Sequence, residues 1–244
     1  MSRRAGFSLL DMLVTISVMA VLMSLLMPGL AGVREATRKV VCSSNVRQIG
    51  LATVLYADQN RGQIPPSVFR IAATQDETPR LQNMMTLRLG TRVGQWDGLG
   101  ILYAKDYANT PGVYYCPSHT GAHPLARYTP IFAEPTGLII GNYQYRGAAD
   151  ISPFLEDLDS SVAITVDGLW TLQDYNHKIG ANVLTADMSV NWFRDDGQIA
   201  GLLAMDSRDT TAASRVLEAW RTLDRGGRRG GTPVAPGGPG GNAQ

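Results

Sequence analysis

The chain has 244 residues, 44% of them hydrophobic, and a formal net charge of +1. That size and apolar content can bury one real core beyond any membrane segment. The near-neutral balance speaks against a nucleic-acid binder, which carries clustered basic surface.

The N-terminus reads Arg3-Arg4-Ala5-Gly6-Phe7-Ser8-Leu9-Leu10-Asp11, and an almost uncharged run follows from Met12 to Val33. A run of ~20 apolar residues can cross a bilayer, with Arg3 and Arg4 holding the N-terminus in the cytoplasm. Asp11 is the only ionisable side chain of the apolar stretch that begins at Phe7, up to Val33. A lone carboxylate at that depth points to function, because an unpaired charge in hydrocarbon is costly. A secretory signal peptide fits less well: its apolar region spans ~7–15 residues and ends at a small-residue cleavage site, for which Pro28-Gly29-Leu30-Ala31 is a poor match. A plain anchor leaves Asp11 and the Gly6-Phe7 junction without a role.

From Arg34 to about Asn60, Val46, Ile49, Thr53 and Val54 recur at spacings of three and four, the mark of one buried helical stripe. Arg34, Arg38, Lys39 and Arg47 project elsewhere. Residues from Phe7 to about Asn60 therefore read as one long helix, bent near Pro28-Gly29 and at Gly50, since proline kinks a helix without having to end it. Gly62 and Pro65-Pro66 stop it. A short helix is expected near Trp96 to Tyr103. The stretch from Thr110 to Pro135 holds five prolines and reads as largely irregular. Strands are expected at 161–166, 181–186 and 189–193, with a tight hairpin at Asp187-Met188. A final amphipathic helix, Thr211 to Leu223, presents Val216, Leu217, Trp220 and Leu223 on one side. From Gly226 onward the chain is Gly, Pro and Arg, with almost nothing to bury.

Gly6-Phe7-Ser8-Leu9-Leu10-Asp11 resembles the prepilin-type cleavage and methylation segment of type IV pilins and type II secretion pseudopilins. That resemblance implies cutting between Gly6 and Phe7, methylation of the new Phe7 amine, and pairing of the Asp11 carboxylate with a neighbouring subunit's amine. The family's usual residue at the Asp11 position is Glu, one methylene longer. Cys42-Ser43-Ser44-Asn45-Val46-Arg47-Gln48-Ile49-Gly50-Leu51, Cys116-Pro117-Ser118 and His177 to Met188 resemble elements of a large group of pilin-like bacterial proteins. The last resembles their His-x9-Asp-Gly (H-X9-DG) element through His177 and Asp187. Met188 stands where those proteins prefer glycine, which suggests a different turn.

Several residue sets invite a chemical reading. His177 and Asp187 suit an acid–base pair or metal ligands, but no nucleophile or third ligand is spaced with them. The plainer expectation is a histidine bonded across the hairpin and an aspartate making local turn bonds. Cys116-x2-His119-x3-His123 resembles part of a zinc site, with Cys42 needed as the fourth ligand. Against it stands a Cys42–Cys116 disulfide, which in an exported body would close a loop of about 75 residues and contribute roughly 3–4.5 kcal/mol; two buried free thiols are the third possibility. Asp195-Asp196-Gly197 and Asp206 to Asp209 lack a calcium-loop pattern.

The expectation is an α+β, pilin-like protein: a leader at 1–6, a transmembrane or filament-core helix at 7–33, the exported half of that helix at 34–60, a globular domain with a small antiparallel sheet at 61–225 and a disordered tail at 226–244. It is expected to be a structural subunit of a type IV pilus or type II secretion pseudopilus, not an enzyme, with no cofactor or metal. Its expected partners are the prepilin peptidase/methylase, other pilin or pseudopilin subunits and the inner membrane, with no nucleic acid. The alternative is a membrane-anchored exported binding protein that does not polymerise. Removing Arg3 and Arg4 with the leader takes the charge from +1 to −1.

Overall fold

Helix-forming sequence from Leu9 onward yields a single helix α1, Leu9–Gln59, of 51 residues, which continues through Pro28 and Gly50. The computed structural model describes residues 9–70, 83–90, 92–203 and 211–227, with the side chains of residues 26, 28–31, 70, 226 and 227 outside that description. The Gly6-Phe7 junction, residues 206–209 and the tail beyond 227 also lie outside the described residues.

The two halves of α1 meet different surroundings. From Leu9 to Leu25 every large apolar side chain is at least half exposed. These positions run around the whole helix, the pattern of a helix made to be covered on all sides. Thr15, Ser17 and Ser24 donate their hydroxyls to the carbonyls of Met12, Leu13 and Val21, so they present no open donor outward. Among the described residues no helix is long and apolar enough to cross a membrane; the span expected over 7–33 is not found among them, and the described part of it carries Asp11 and these hydroxyls. The second half buries Cys42, Val46, Ile49, Ala52, Thr53, Tyr56 and Ala57. Val54, expected in this stripe, is exposed, because it falls one residue past Thr53 and off the buried face. Lys39 also departs from expectation: its ammonium lies 3.2 Å from the ring centroid of Trp192, against the body.

The fold is α+β with antiparallel sheets. Strands β3 (Tyr143–Tyr145), β4 (Ala163–Asp167), β5 (Gly180–Thr185) and β6 (Val190–Arg194) form a four-stranded antiparallel sheet in chain order. Strands β1 (Thr86–Arg88) and β2 (Ile139–Ile140) form a separate antiparallel pair. The large sheet has two covered faces. Leu184 meets α1 at Gly50, where an added Cβ would come within 2.7 Å of Leu184 Cδ1. Val183 and Thr185 instead line a cavity shared with Thr222 and Leu223 of α5, Ala212–Gly227. Double coverage explains why every residue of β4 and β5 is buried, without the alternation of a half-wet sheet.

The short helix α2 (Gly100–Ala104) appears close to its expected place. Its first residue permits no side chain, since a Cβ on Gly100 would fall on the backbone of Leu87 in β1. The expected irregular stretch contains a helix, α3, Leu125–Phe132, with Pro130 inside it. Tyr128 and Phe132 bury one face of that helix. Its C-terminus is held by Arg88, a buried guanidinium from β1. Arg88 donates to the carbonyls of Ile131, Glu134, Thr136 and Gly137 at 2.7–2.8 Å. A fixed planar fork and a positive charge suit a cluster of carbonyls in the last turn of a helix and the loop that follows it. Buried Arg146, just after β3, pairs with Asp150 and with Asp224 of α5, fastening α5 to the sheet. Asp195 uses its carboxylate to accept the backbone N–H groups of Ile199 and Ala200 in α4, Gln198–Leu202.

Arg88→Lys is expected to lower stability by at least about 2 kcal/mol, because an ammonium reaches only part of this set and each orphaned buried acceptor costs roughly 1–3 kcal/mol. Urea unfolding of the two proteins checks it; equal midpoints would show that the fork is dispensable.

Candidate functional site

Four side chains from distant segments converge between α1 and the sheet. Cys42 comes from the buried stripe of α1, and Cys116 follows a 3-10 turn at Pro111–Tyr114. Asp167 ends β4, and His177 lies in the loop leading into β5. One potential ligand atom from each lies within 4.8 Å of all the others, and all four residues are buried. Cys42 Sγ is 3.0 Å from Asp167 Oδ1 and donates to it. Cys116 Sγ is 3.5 Å from His177 Nε2, and that nitrogen is 3.8 Å from Asp167 Oδ2.

A second layer of bonds fixes each member. His177 Nδ1 is 2.7 Å from Glu35 Oε1, and the same carboxylate accepts the Ser118 hydroxyl. Asp167 accepts the backbone N–H of Asn182 at 2.7 Å and a longer bond from Asn176 Nδ2. The Tyr143 hydroxyl sits 3.3 Å from Cys42 Sγ. Trp192 places its ring edge-on to His177, with centroids 5.4 Å apart, and Lys39 covers the ring of Trp192.

The electrostatics follow from this crowding. Burial raises the carboxyl of Asp167 despite its hydrogen bonds and the nearby imidazole. Burial also pushes the Cys42 thiol up, reinforced by Cys116 and Asp167. Cys116 moves the other way, lowered by its bond with Cys42 and then by His177 against the effect of burial. Burial opposes a charged imidazole at His177, yet Cys116, Asp167 and Glu35 together bring it up to about 9. Glu35, although partly desolvated, is held below the usual carboxylate range by His177 and Ser118.

The sequence-derived candidates divide into two groups. Cys42, Cys116 and His177 come together. Both cysteines are free thiols, so the structure holds the expected pair side by side without a bond between them. His119 and His123 are elsewhere engaged: His119 bonds to Asn176 Oδ1 and accepts the backbone N–H of His123. His123 bonds to the Tyr128 hydroxyl and stacks on Trp170. Asp187 is a turn residue, accepting from the Thr185 hydroxyl and the Ser189 backbone N–H, whereas His177 spends its nitrogens on Glu35 and the cluster. The hairpin uses Ala186 to Met188 as its loop, closed by Met188 N–H to Thr185 O and Thr185 N–H to Ser189 O. Met188 itself takes a left-handed φ of 62°. The different turn expected for a methionine is therefore not used; Met188 holds the left-handed backbone position that favours glycine. Asp11 lies in the exposed first turn of α1.

Asp167 and Glu35 escaped the sequence reading. Asp167 follows a β-branched run, Ile164 to Val166, and an acid at such a strand end was a usable signal. Glu35, set among Arg34 and Arg38, has the look of an ordinary solvated helix charge.

A family model described as "Protein of unknown function (DUF1559)" matches residues 32–157, just over half of the chain. The chain belongs to that family. The matched region contains Glu35, Cys42 and Cys116 and ends before Asp167 and His177. No curated protein matches the chain, and no solved structure does.

Buried, unbonded thiols have a direct consequence in solution. Cys42 and Cys116 are expected to resist alkylation in the native protein and to react fully on unfolding without reductant. Mass analysis after iodoacetamide labelling reads both states; two unreactive cysteines in the unfolded chain would establish a disulfide.

Proposed function

We propose that this protein is a pilin-like structural subunit of a type IV pilus or type II secretion pseudopilus, assembled through α1. The observation that carries the reading is the division of that helix. One end docks on an antiparallel sheet, and the other carries exposed apolar side chains all round from Leu9 to Leu25. A helix of that kind has to be covered by lipid or by other helices. Family membership is compatible with this role and names none of its own.

In this reading the precursor is a single-pass inner-membrane protein with its C-terminal domain exported. Prepilin peptidase cuts between Gly6 and Phe7, and the enzyme methylates the freed amine. Subunits then leave the bilayer and bundle their helices in a periplasmic or extracellular filament. Asp11, carried into that low-dielectric bundle, offsets the amine of a neighbouring subunit, since an unpaired charge there is costly. The protein works by assembly and not by catalysis.

Two substitutions test the proposal in native membranes. Gly6→Leu obstructs the peptidase and leaves full-length precursor; an unchanged mature mass starting at Phe7 would contradict the processing step. Asp11→Ala is inserted and cleaved but drops out of the cross-linked ladders formed through α1, while Asp11→Glu retains them. Ladders of normal yield from Asp11→Ala would remove the charge-pairing argument, and their absence from the wild type would leave a membrane-anchored monomer.

A further inference from the structure

We infer that Cys42, Cys116, Asp167 and His177 form a closed structural zinc site that fastens α1 to the sheet. The inference concerns the folded domain alone and does not depend on the filament role.

The donor set comes first. Two thiols, an imidazole nitrogen and a carboxylate oxygen make a mixed soft and hard set, which suits zinc. Tetrahedral zinc with bonds of about 2.0–2.3 Å holds its ligand atoms about 3.3–3.8 Å apart. Cys42 Sγ to Asp167 Oδ1 at 3.0 Å and Cys116 Sγ to His177 Nε2 at 3.5 Å lie near those edges, and one donor atom from each of the four residues lies within 4.8 Å of all the others, compact enough to close on one ion. Four protein donors, all buried, leave no position for water or substrate, which marks a structural and not a catalytic centre.

The surroundings supply the independent argument. A zinc-bound histidine usually gives its other ring nitrogen to a carboxylate, which fixes the tautomer and the ring. Glu35 stands in that place, 2.7 Å from Nδ1, with Nε2 turned into the cluster. Glu35 is itself anchored by Ser118, two residues after Cys116. The Asp167 carboxylate is oriented by the Asn182 backbone N–H. Chemically the site also asks for a cation: a carboxylate and two potential thiolates converge on one imidazole in a buried space, and a dication answers that accumulation. Binding replaces the water ligands of the hydrated ion with two Zn–S bonds, one Zn–N bond and one Zn–O bond, and the protons of both thiols and of His177 Nε2 pass to solvent. The nearby histidines do not compete, because His119 and His123 are spent on Asn176 and Tyr128.

The full chain, purified both with and without reductant, is the material for the test. Elemental analysis should find one zinc per chain, and Co(II) added to the metal-free reduced protein should give the intense visible bands of a tetrahedral centre with thiolate charge transfer. Asp167→Asn, which keeps the side chain's shape, and Cys116→Ser should each abolish stoichiometric zinc while retaining the far-UV circular dichroism of the wild type. His119→Ala/His123→Ala should keep full zinc. Glu35→Gln should bind with the same cobalt spectrum but about 10–100-fold weaker affinity. Zinc held equally by Asp167→Asn and the wild type would overturn the assignment. So would a Cys42–Cys116 disulfide in metal-free protein whose reduced form gives no tetrahedral cobalt spectrum.

Discussion

One helix has to satisfy two environments, and the rest of the molecule is arranged around that demand. The first part of α1 is apolar around its whole circumference, with its hydroxyls turned back onto its own carbonyls. The second part narrows to one buried stripe running from Cys42 to Ala57. That stripe, with Glu35 and Lys39 just ahead of it, connects an extended helix to a body built from short elements. Gly50 brings the rod close enough for Leu184 to fill the space where a side chain would stand. The buried cluster at Cys42 lies along the same stripe, nearer to where the helix leaves the body.

The body has its own internal logic. Its strands are short and its loops long, so cationic side chains perform joins that longer elements would make by packing. Arg88 gathers one carbonyl of the last turn of α3 and three of the loop that follows. Arg146 joins the end of β3 to α5 through Asp224, and its guanidinium lies over Trp220. Both are examples of a rigid planar donor used where a flexible point charge would leave partners unmet.

Local periodicity made much of this legible. The long helix, β4, β5, β6 and α5 all follow from repeated apolar spacing or from β-branched runs bounded by turn residues. Helix α3 was hidden by Pro124 and Pro130, although Tyr128 and Phe132 at a spacing of four carried its signal. Strands β1, β2 and β3 were not visible because two or three residues are too few to show a period. The site was half legible. Cys42, Cys116 and His177 stand out by residue type, whereas their grouping with Asp167 depends on strand order and helix docking, which no local pattern encodes. The same limit explains the attraction of His119 and His123: their spacing beside Cys116 is local, and the partners that occupy them come from Asn176, Tyr128 and Trp170.

The cluster's position along the chain also sets an order of events during synthesis. Cys42 emerges early, on a helix that can form by itself because its contacts are local. Asp167 and His177 emerge more than a hundred residues later, at the end of β4 and in the loop before β5, and those strands must pair before either side chain reaches its place. Throughout that interval the apolar stripe of α1 and a reactive thiol stand uncovered together. One helix face therefore has to stay shielded until the last third of the domain arrives, and the moment of closure is the moment the thiol passes out of reach of solvent.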